Sequence, residues 1–372
     1  MKKIFEATAL LVGTIIGAGI FGIPYVIARA GFWTGMITLI ILGIAVMILY
    51  LYLGEVTLRT KGNHQLSGYA EKYLGKTGRN LMSIFMIIGI YGAMIAYILG
   101  IGQSLNAVFG GSALIYSIIA FAFFAFAIYH GVKTVAKIEF WILPGVLAVV
   151  VLFIIFSIHK IDFLNIQGFD IYSIFIPYGV ILFSLIGAAA IPEMRQHLRR
   201  NPKSFKKAVI FGTLIPIVVY AIFALIVVGV TGFSTTEIAT IGLGRALGEH
   251  MVIIGNLFAV FTMATSFLTL GLAGKQMYDY DYKLNHLLAW FLAMFVPLVI
   301  ALSGFTTFIK AIGISGTISG GGEGILIVLM HWRCKKLGNR KPEYSLKKNY
   351  IIYFLIIAFF ILGGVWFVHS LF

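Results

Sequence analysis

Again and again along its length the chain returns to apolar runs long enough to cross a bilayer. The stretches between these runs are too short to house another domain. A membrane helix needs about 20 predominantly apolar residues. Eleven such runs fall at roughly 4–30, 32–58, 79–108, 112–129, 138–158, 171–198, 204–231, 250–279, 284–302, 304–332 and 349–371. Hydrophobic residues make up 60% of the 372 and charged ones 11%, a balance that excludes a water-soluble domain. Lipid offers the backbone no hydrogen-bond partners, so spans of this length are helical. The expected fold class is an all-α integral membrane protein of eleven transmembrane helices, one transporter domain over 1–372. The first run follows Lys2 and Lys3, is long, and has no small-residue cleavage site, so it reads as a retained span and not a signal peptide.

The net charge of +15 is spread over many loops, which argues against nucleic acid as a partner and leaves the lipid bilayer. Of the 28 Lys and Arg residues, 24 fall at the N-terminus and in every second loop. Only Arg29, Lys160, Arg245 and Lys310 fall on the other side. The positive-inside rule then predicts a cytoplasmic N-terminus and an extracellular C-terminus in the plasma membrane. A wrong span count would scramble this alternation. The single cysteine, Cys334, excludes an intrachain disulfide. No feature sets an oligomeric state.

Two of the spans are interrupted. Gly17-Ala-Gly-Ile-Phe-Gly-Ile-Pro24 puts three glycines and a proline inside span 1. Gly187-Ala-Ala-Ala-Ile-Pro192 does the same in span 6. A broken ladder persists in a membrane only where the freed backbone meets protein, ligand or a wet cavity. The two breaks share a Gly, three residues, then Ile-Pro, and lie five spans apart, so their topologies are opposite. Residues 66–76 and 235–249 form a second matched pair, each an expected short amphipathic helix. Spans 1–5 (about 4–158) and 6–10 (171–332) therefore read as inverted halves, with 349–371 appended. The Gly17-x-Gly19-x-x-Gly22 spacing formally fits a dinucleotide fingerprint, but no strand precedes it and no acidic residue follows until Glu55. Close helix packing is another use of such glycines. An unwound segment suits a zwitterion: amides at the start of the second half-helix attract a carboxylate, and carbonyls ending the first attract an ammonium or a metal cation.

The span 1 string GTIIGAGIFGIP (residues 13–24) resembles the opening motif of the amino acid–polyamine–organocation superfamily. Tyr91–Tyr97 (YGAMIAY), Ala190–Met194 (AIPEM), Ala264–Leu268 (ATSFL) and Phe295–Leu298 (FVPL) resemble its amino acid/auxin permease branch and the bacterial aromatic amino acid permeases. The resemblance covers spans 1–10. It implies the five-plus-five inverted-repeat fold of bacterial leucine transporters, with helices 1 and 6 discontinuous. It implies a substrate carboxylate on the amides around Gly17, Ala18 and Gly19, and an amine on carbonyls near Thr14, Ile15 and the span 6 break. Phe183 would be an aromatic gate, and Ser184, Gly187 and Ala188 would line the pocket. In sodium-coupled relatives a hydroxyl pair like Thr265 and Ser266 binds Na⁺ with carbonyls that match Gly13, Ile16 and Thr262; hard cations favour such oxygens. Those hydroxyls also have the option of bonding their own helix. A span 5 lysine that replaces sodium in some relatives has no counterpart between Phe140 and Ile158, and Ile20 argues against a second sodium site.

Glu323 lies in Ser319-Gly-Gly-Gly-Glu-Gly324, ten residues before Arg333. That is roughly 15 Å along a helix, near mid-bilayer. A carboxylate is costly there, so it is expected paired, protonated or wet, and it is the candidate for proton coupling. A structural hydrogen bond to a neighbouring helix is the alternative. Glu55 and Glu193 are expected to snorkel or pair at cytoplasmic helix ends. Asp279 and Asp281 are expected at a solvated helix end or in an inner gate with Lys2 or Lys3. No histidine cluster with metal-ligand spacing and no hydrolytic constellation is recognisable. The expected function is secondary active transport of neutral, large apolar or aromatic, amino acids, coupled to H⁺ or Na⁺ and with no other cofactor. A membrane amino acid sensor and a membrane-embedded lipid enzyme are the alternatives.

Overall fold

The computed structural model describes residues 2–130, 145, 148–199, 201–280 and 283–370, and helix is the regular structure throughout them. The first run forms two helices, α1 (Lys2–Ile15) and α2 (Gly19–Ala30), bent by 58° where they meet. Next come α3 (Phe32–Leu58), α4 (Leu66–Phe109), α5 (Ala113–His130) and α6 (Ala148–Lys160). The sixth run is divided into α7 (Tyr178–Ser184) and α8 (Ala190–His197). The remainder are α9 (Phe205–Thr231), α10 (Ala239–Leu247), α11 (Glu249–Tyr280), α12 (His286–Leu302), α13 (Phe308–Ser315), α14 (Gly321–Leu337) and α15 (Tyr350–Ser370).

Among the described residues seven helices are long and apolar enough to span a membrane, eight when the bent pair is one span. The eleven expected spans exceed this for local reasons. Residues 138–147 of the fifth lie largely outside the described residues, and α6 covers the rest. The sixth is cut by its break, and α12 has 17 residues. Two boundaries also differ from expectation. The amphipathic segment 235–249 is helical only as α10, because Gly248 ends it at φ 122°. The tenth run starts late, at Phe308, where Thr307 caps the helix, and continues to Leu337. The expected helix 66–76 is the first part of α4, which turns at Gly75 (φ 80°), a conformation a side chain would strain.

The helices sort into two packed groups. α1, α2, α3, α7, α8 and α9 lie against one another, with α9 touching α1, α2 and α3. α4, α5, α11 and α12 form the second group, and α10 lies against both α9 and α11. The α13–α14 pair bridges the two, touching α4 on one side and α7 and α3 on the other. Between α13 and α14 the ladder opens into a π turn, Gly316–Gly320. Glycine permits the bridge: a Cβ at Gly316 would sit 1.9 Å from the Gly179 carbonyl of α7.

Candidate functional site

A count of backbone hydrogen bonds locates the first break at residues 16–18. Gly17 N–H turns back to the Ile15 carbonyl (3.0 Å), and the next helix starts with Ile20 on Gly17 and Phe21 on Ala18. Among the described residues the amides of Ala18 and Gly19 have no acceptor, and the carbonyls of Gly13, Thr14 and Ile16 have no donor. Gly17, expected to offer an amide, has spent it. Pro24, expected within the break, sits buried inside α2, since a membrane helix tolerates the loss of one amide. Gly13 and Thr14 are exposed, and a Cβ at Gly13 or Gly17 would meet nothing within 4 Å. Open space therefore borders the end of α1.

The second break spans residues 185–189, between α7 and α8. It is held by a tyrosine that no sequence pattern singles out. The Tyr50 hydroxyl of α3 donates to the Leu185 carbonyl (2.5 Å) and accepts from Gly187 N–H (2.5 Å). One side chain thus stands in for the missing helical bonds on both flanks of the break. A second tyrosine joins the two breaks. Tyr220 of α9 has its hydroxyl 2.7 Å from the Ile15 carbonyl and 2.9 Å from that of Ser184, with one proton to share.

The two breaks touch. A Cβ at Gly19 would lie 2.3 Å from Ser184 Oγ, and one at Gly187 would lie 2.6 Å from Ile15 Cγ1. Thr14, Ile15, Gly17, Ala18 and Gly19 are thereby brought together with Ser184, Gly187 and Ala188. Ser184 Oγ lies beside Gly19 and donates to Val180 (2.7 Å), while the Ser184 carbonyl accepts from Tyr220. Phe183 is half-buried beside the π turn, its backbone 2.5 Å from where a Gly316 Cβ would be.

The residues matched to a sodium site are not gathered in the same way. Thr265 Oγ1 shares its proton within α11 between the Phe261 (3.2 Å) and Thr262 (3.0 Å) carbonyls. A hydroxyl in a helix satisfies itself this way when no better acceptor is near. α11 packs on α4, α5, α10 and α12, while α1 packs on α8 and α9, and Gly13 faces open space. Ser266 sits on the same stretch of α11, and Ile16 is buried at the first break. These contacts place Gly13 and Ile16 with the first helix group and Thr262, Thr265 and Ser266 with the second. No group of three His, Cys, Asp or Glu that would hold a metal occurs among the described residues.

The acidic residues meet expectation in part: Glu55 pairs with Arg59 and Lys335. Glu55 does not snorkel: it is fully buried. It accepts from Arg59 (2.7 Å), Lys335, His331 (3.0 Å), Ser345 (3.1 Å) and Leu346 N–H (2.7 Å). His331 passes the network on to Tyr353 (2.7 Å). The hub ties α3 to α14, to α15 and to the segment between them. In that segment burial, and next the Glu55 charge, push the Tyr344 hydroxyl well above the ordinary phenol range, so it stays a donor to Leu51. Asp279 lies 3.8 Å from His286 and not beside Lys3; Asp281 and the side chain of Lys2 are outside the described residues. Glu323 is buried, and its Oε1 accepts from Ser319 (3.0 Å).

At the far ends of α2 and α4 a cavity of about 460 Å³ is lined by Arg29, Arg245, Glu237, Gln103 and Phe233. Arg29 there stacks over Tyr25 and Phe233. Open space at Gly13 and this cavity flank the paired breaks along the chain's path through α1 and α2.

Comparison with known proteins agrees with this architecture. Residues 1–367 match the tryptophan/tyrosine permease family. The chain is 26% identical to "Tyrosine-specific transport system 1" of Haemophilus influenzae, over 92% of this chain and 91% of that one. It is 24% identical to "Glutamine transporter 2" of Aliivibrio fischeri (85% of each). It is also 24% identical to "Tryptophan-specific transport protein" of Shigella flexneri (84% of this chain, 82% of that one). The helices, the interrupted runs and a match over nearly the full length lead to one assignment: this multi-pass membrane protein belongs to the tryptophan/tyrosine permease family.

Proposed function

We propose that this permease carries neutral amino acids, large apolar or aromatic ones included, across the plasma membrane by alternating access. The observation that carries the reading is the pair of touching breaks, with the amides of Ala18 and Gly19 and the carbonyls of Gly13, Thr14 and Ile16 left unpaired. Every α-amino acid presents a carboxylate and an ammonium. The start of α2 suits the first, since amides and the helix dipole both favour an anion. The end of α1 suits the second. Ala188 and Ala189 leave room for a bulky side chain.

On this reading the chain has eleven spans, arranged as two inverted halves with α15 appended, and its N-terminus is cytoplasmic. The group built on α9 (α1, α2, α3, α7 and α8) rocks against the group built on α4 and α11. The open space at Gly13 is then the inward path, and the cavity at Arg29 and Arg245 is the outer vestibule. A cation gradient, H⁺ or Na⁺, drives the cycle by favouring the conformer that admits substrate.

The test is uptake of labelled tyrosine, tryptophan and glutamine by proteoliposomes, with Gly19→Trp as the blocked control. Accumulation by the wild type and none by the control is the expected result. No exchange of any of the three by the wild type would overturn the reading.

A further inference from the structure

Glu323 stands out among the ionisable side chains of the membrane region. It is 6% exposed, and Ser319 Oγ is the one hydrogen-bond donor it has among the described residues. No Lys, Arg or His pairs with it there, in contrast to Glu55, which has three cationic or cationisable neighbours. A lone carboxylate in such a place is costly when charged and cheap when neutral. Its position is equally specific. Glu323 shares a cavity of about 20 Å³, room for one water, with Tyr50, Leu185, Ile186 and Ala188. Three of those four residues are the second break itself, and the fourth is the tyrosine that bonds both flanks of it.

We infer that Glu323 carries the coupling proton, and that it is linked to substrate through the α7–α8 break and Tyr50. The inference rests on the permease reading and names the group that serves it. The proton comes from water and returns to water, and no bond other than O–H forms or breaks. With the break closed over it, the carboxyl is shut off from bulk water and holds the proton. When the break moves, the wall at Leu185–Ala188 parts, water reaches the carboxylate and the proton leaves. Substrate bound at the same break and proton bound behind it then favour one conformer, which is the condition for coupled movement. The π turn Gly316–Gly320 just before Glu323 gives α14 a seam at which its start can follow α7.

Other groups that face this site leave the role to Glu323. From α3 the facing titratable group is Tyr50, and from α7 it is Tyr178, whose hydroxyl would lie 3.5 Å from a Cβ at Gly321. The Tyr50 hydroxyl is committed to the break. α4 presents Phe85 at Gly322 and α15 presents Phe360 at Gly324, neither of which titrates. Further along α14, His331 belongs to the Glu55 hub.

The experiment compares wild type, Glu323→Gln and Glu323→Asp in proteoliposomes, in Na⁺-free buffer, with tyrosine and tryptophan as probes. Each is assayed for accumulation under an outside-acid gradient and for exchange with internal unlabelled substrate. Wild type is expected to accumulate. Glu323→Gln, a fixed neutral mimic, is expected to keep exchange while losing about tenfold or more in acid-driven accumulation, the size of an ordinary coupling. Glu323→Asp is expected to keep acid-driven accumulation with a displaced pH profile, which controls for misfolding. Acid-driven accumulation by Glu323→Gln within twofold of wild type would overturn the inference. So would exchange without any acid-driven accumulation by the wild type, and that result would leave the permease reading standing. No exchange by the wild type would remove the permease reading, and this inference with it.

Discussion

Gly17 and Gly19 lie two positions apart and look alike in sequence, yet the structure gives them different tasks. Gly17 borders open space, whereas Gly19 has no room for a methyl group beside Ser184. Gly17→Ala is therefore expected to leave the thermal midpoint and tyrosine exchange near wild type. Gly19→Ala, forced against Ser184 Cα as well as Oγ, is expected to cost about 1–3 kcal/mol and most of the exchange activity. Thermal unfolding in detergent beside exchange assays checks both. Tyr220→Phe belongs at this scale too. Losing its hydroxyl leaves the Ile15 and Ser184 carbonyls to compete without a donor, a cost of about 1–3 kcal/mol, read as a lower midpoint and weaker substrate affinity. The glycines were legible because they break a local pattern. Tyr50 and Tyr220 were not: the chain has 18 tyrosines, and only the tertiary arrangement shows which of them meet a broken backbone.

At the level of the helix, the sequence located the interruptions to within a few residues and missed what holds them. Pro24 drew the first break too far along, because one absent amide is a smaller loss than an unwound turn. Glu55 shows the same limit. Arg59, four residues on, is visible as a helical partner, but His331 and Lys335 come from α14 and cannot be read from spacing. The hub makes α3, α14 and the 338–349 segment one mechanical unit. Removing its centre leaves the part-buried Arg59 and Lys335 and the buried His331 without their acceptor, so Glu55→Ala is expected to destabilise by about 3 kcal/mol. Adding Lys335→Met should recover part of that loss, because the two share one network. A double-mutant cycle on thermal unfolding measures the recovery, and simple additivity would show that the hub does not act as a unit.

For the molecule as a whole, the alternation of basic loops and the open space at Gly13 make a joint prediction. Cys334 is the single cysteine and is buried, so Cys334→Ser gives a clean background. On it, Thr14→Cys is expected to react with a membrane-impermeant thiol reagent applied from the cytoplasmic side and to be shielded by bound substrate. Labelling only from the outside would reverse the proposed orientation. The all-helical membrane character was legible because length and apolarity are additive along a chain; the packing of α13–α14 between two helix groups was not, since it depends on glycines meeting at a distance. The backbone character of the paired breaks has one more consequence. On the proposed reading, the groups that face the ends common to all α-amino acids are main-chain atoms, which point mutation does not alter. Selectivity can then drift through the surrounding walls while the grip on the common ends is inherited intact, so a lineage built on this site can change its cargo without rebuilding its hold on it.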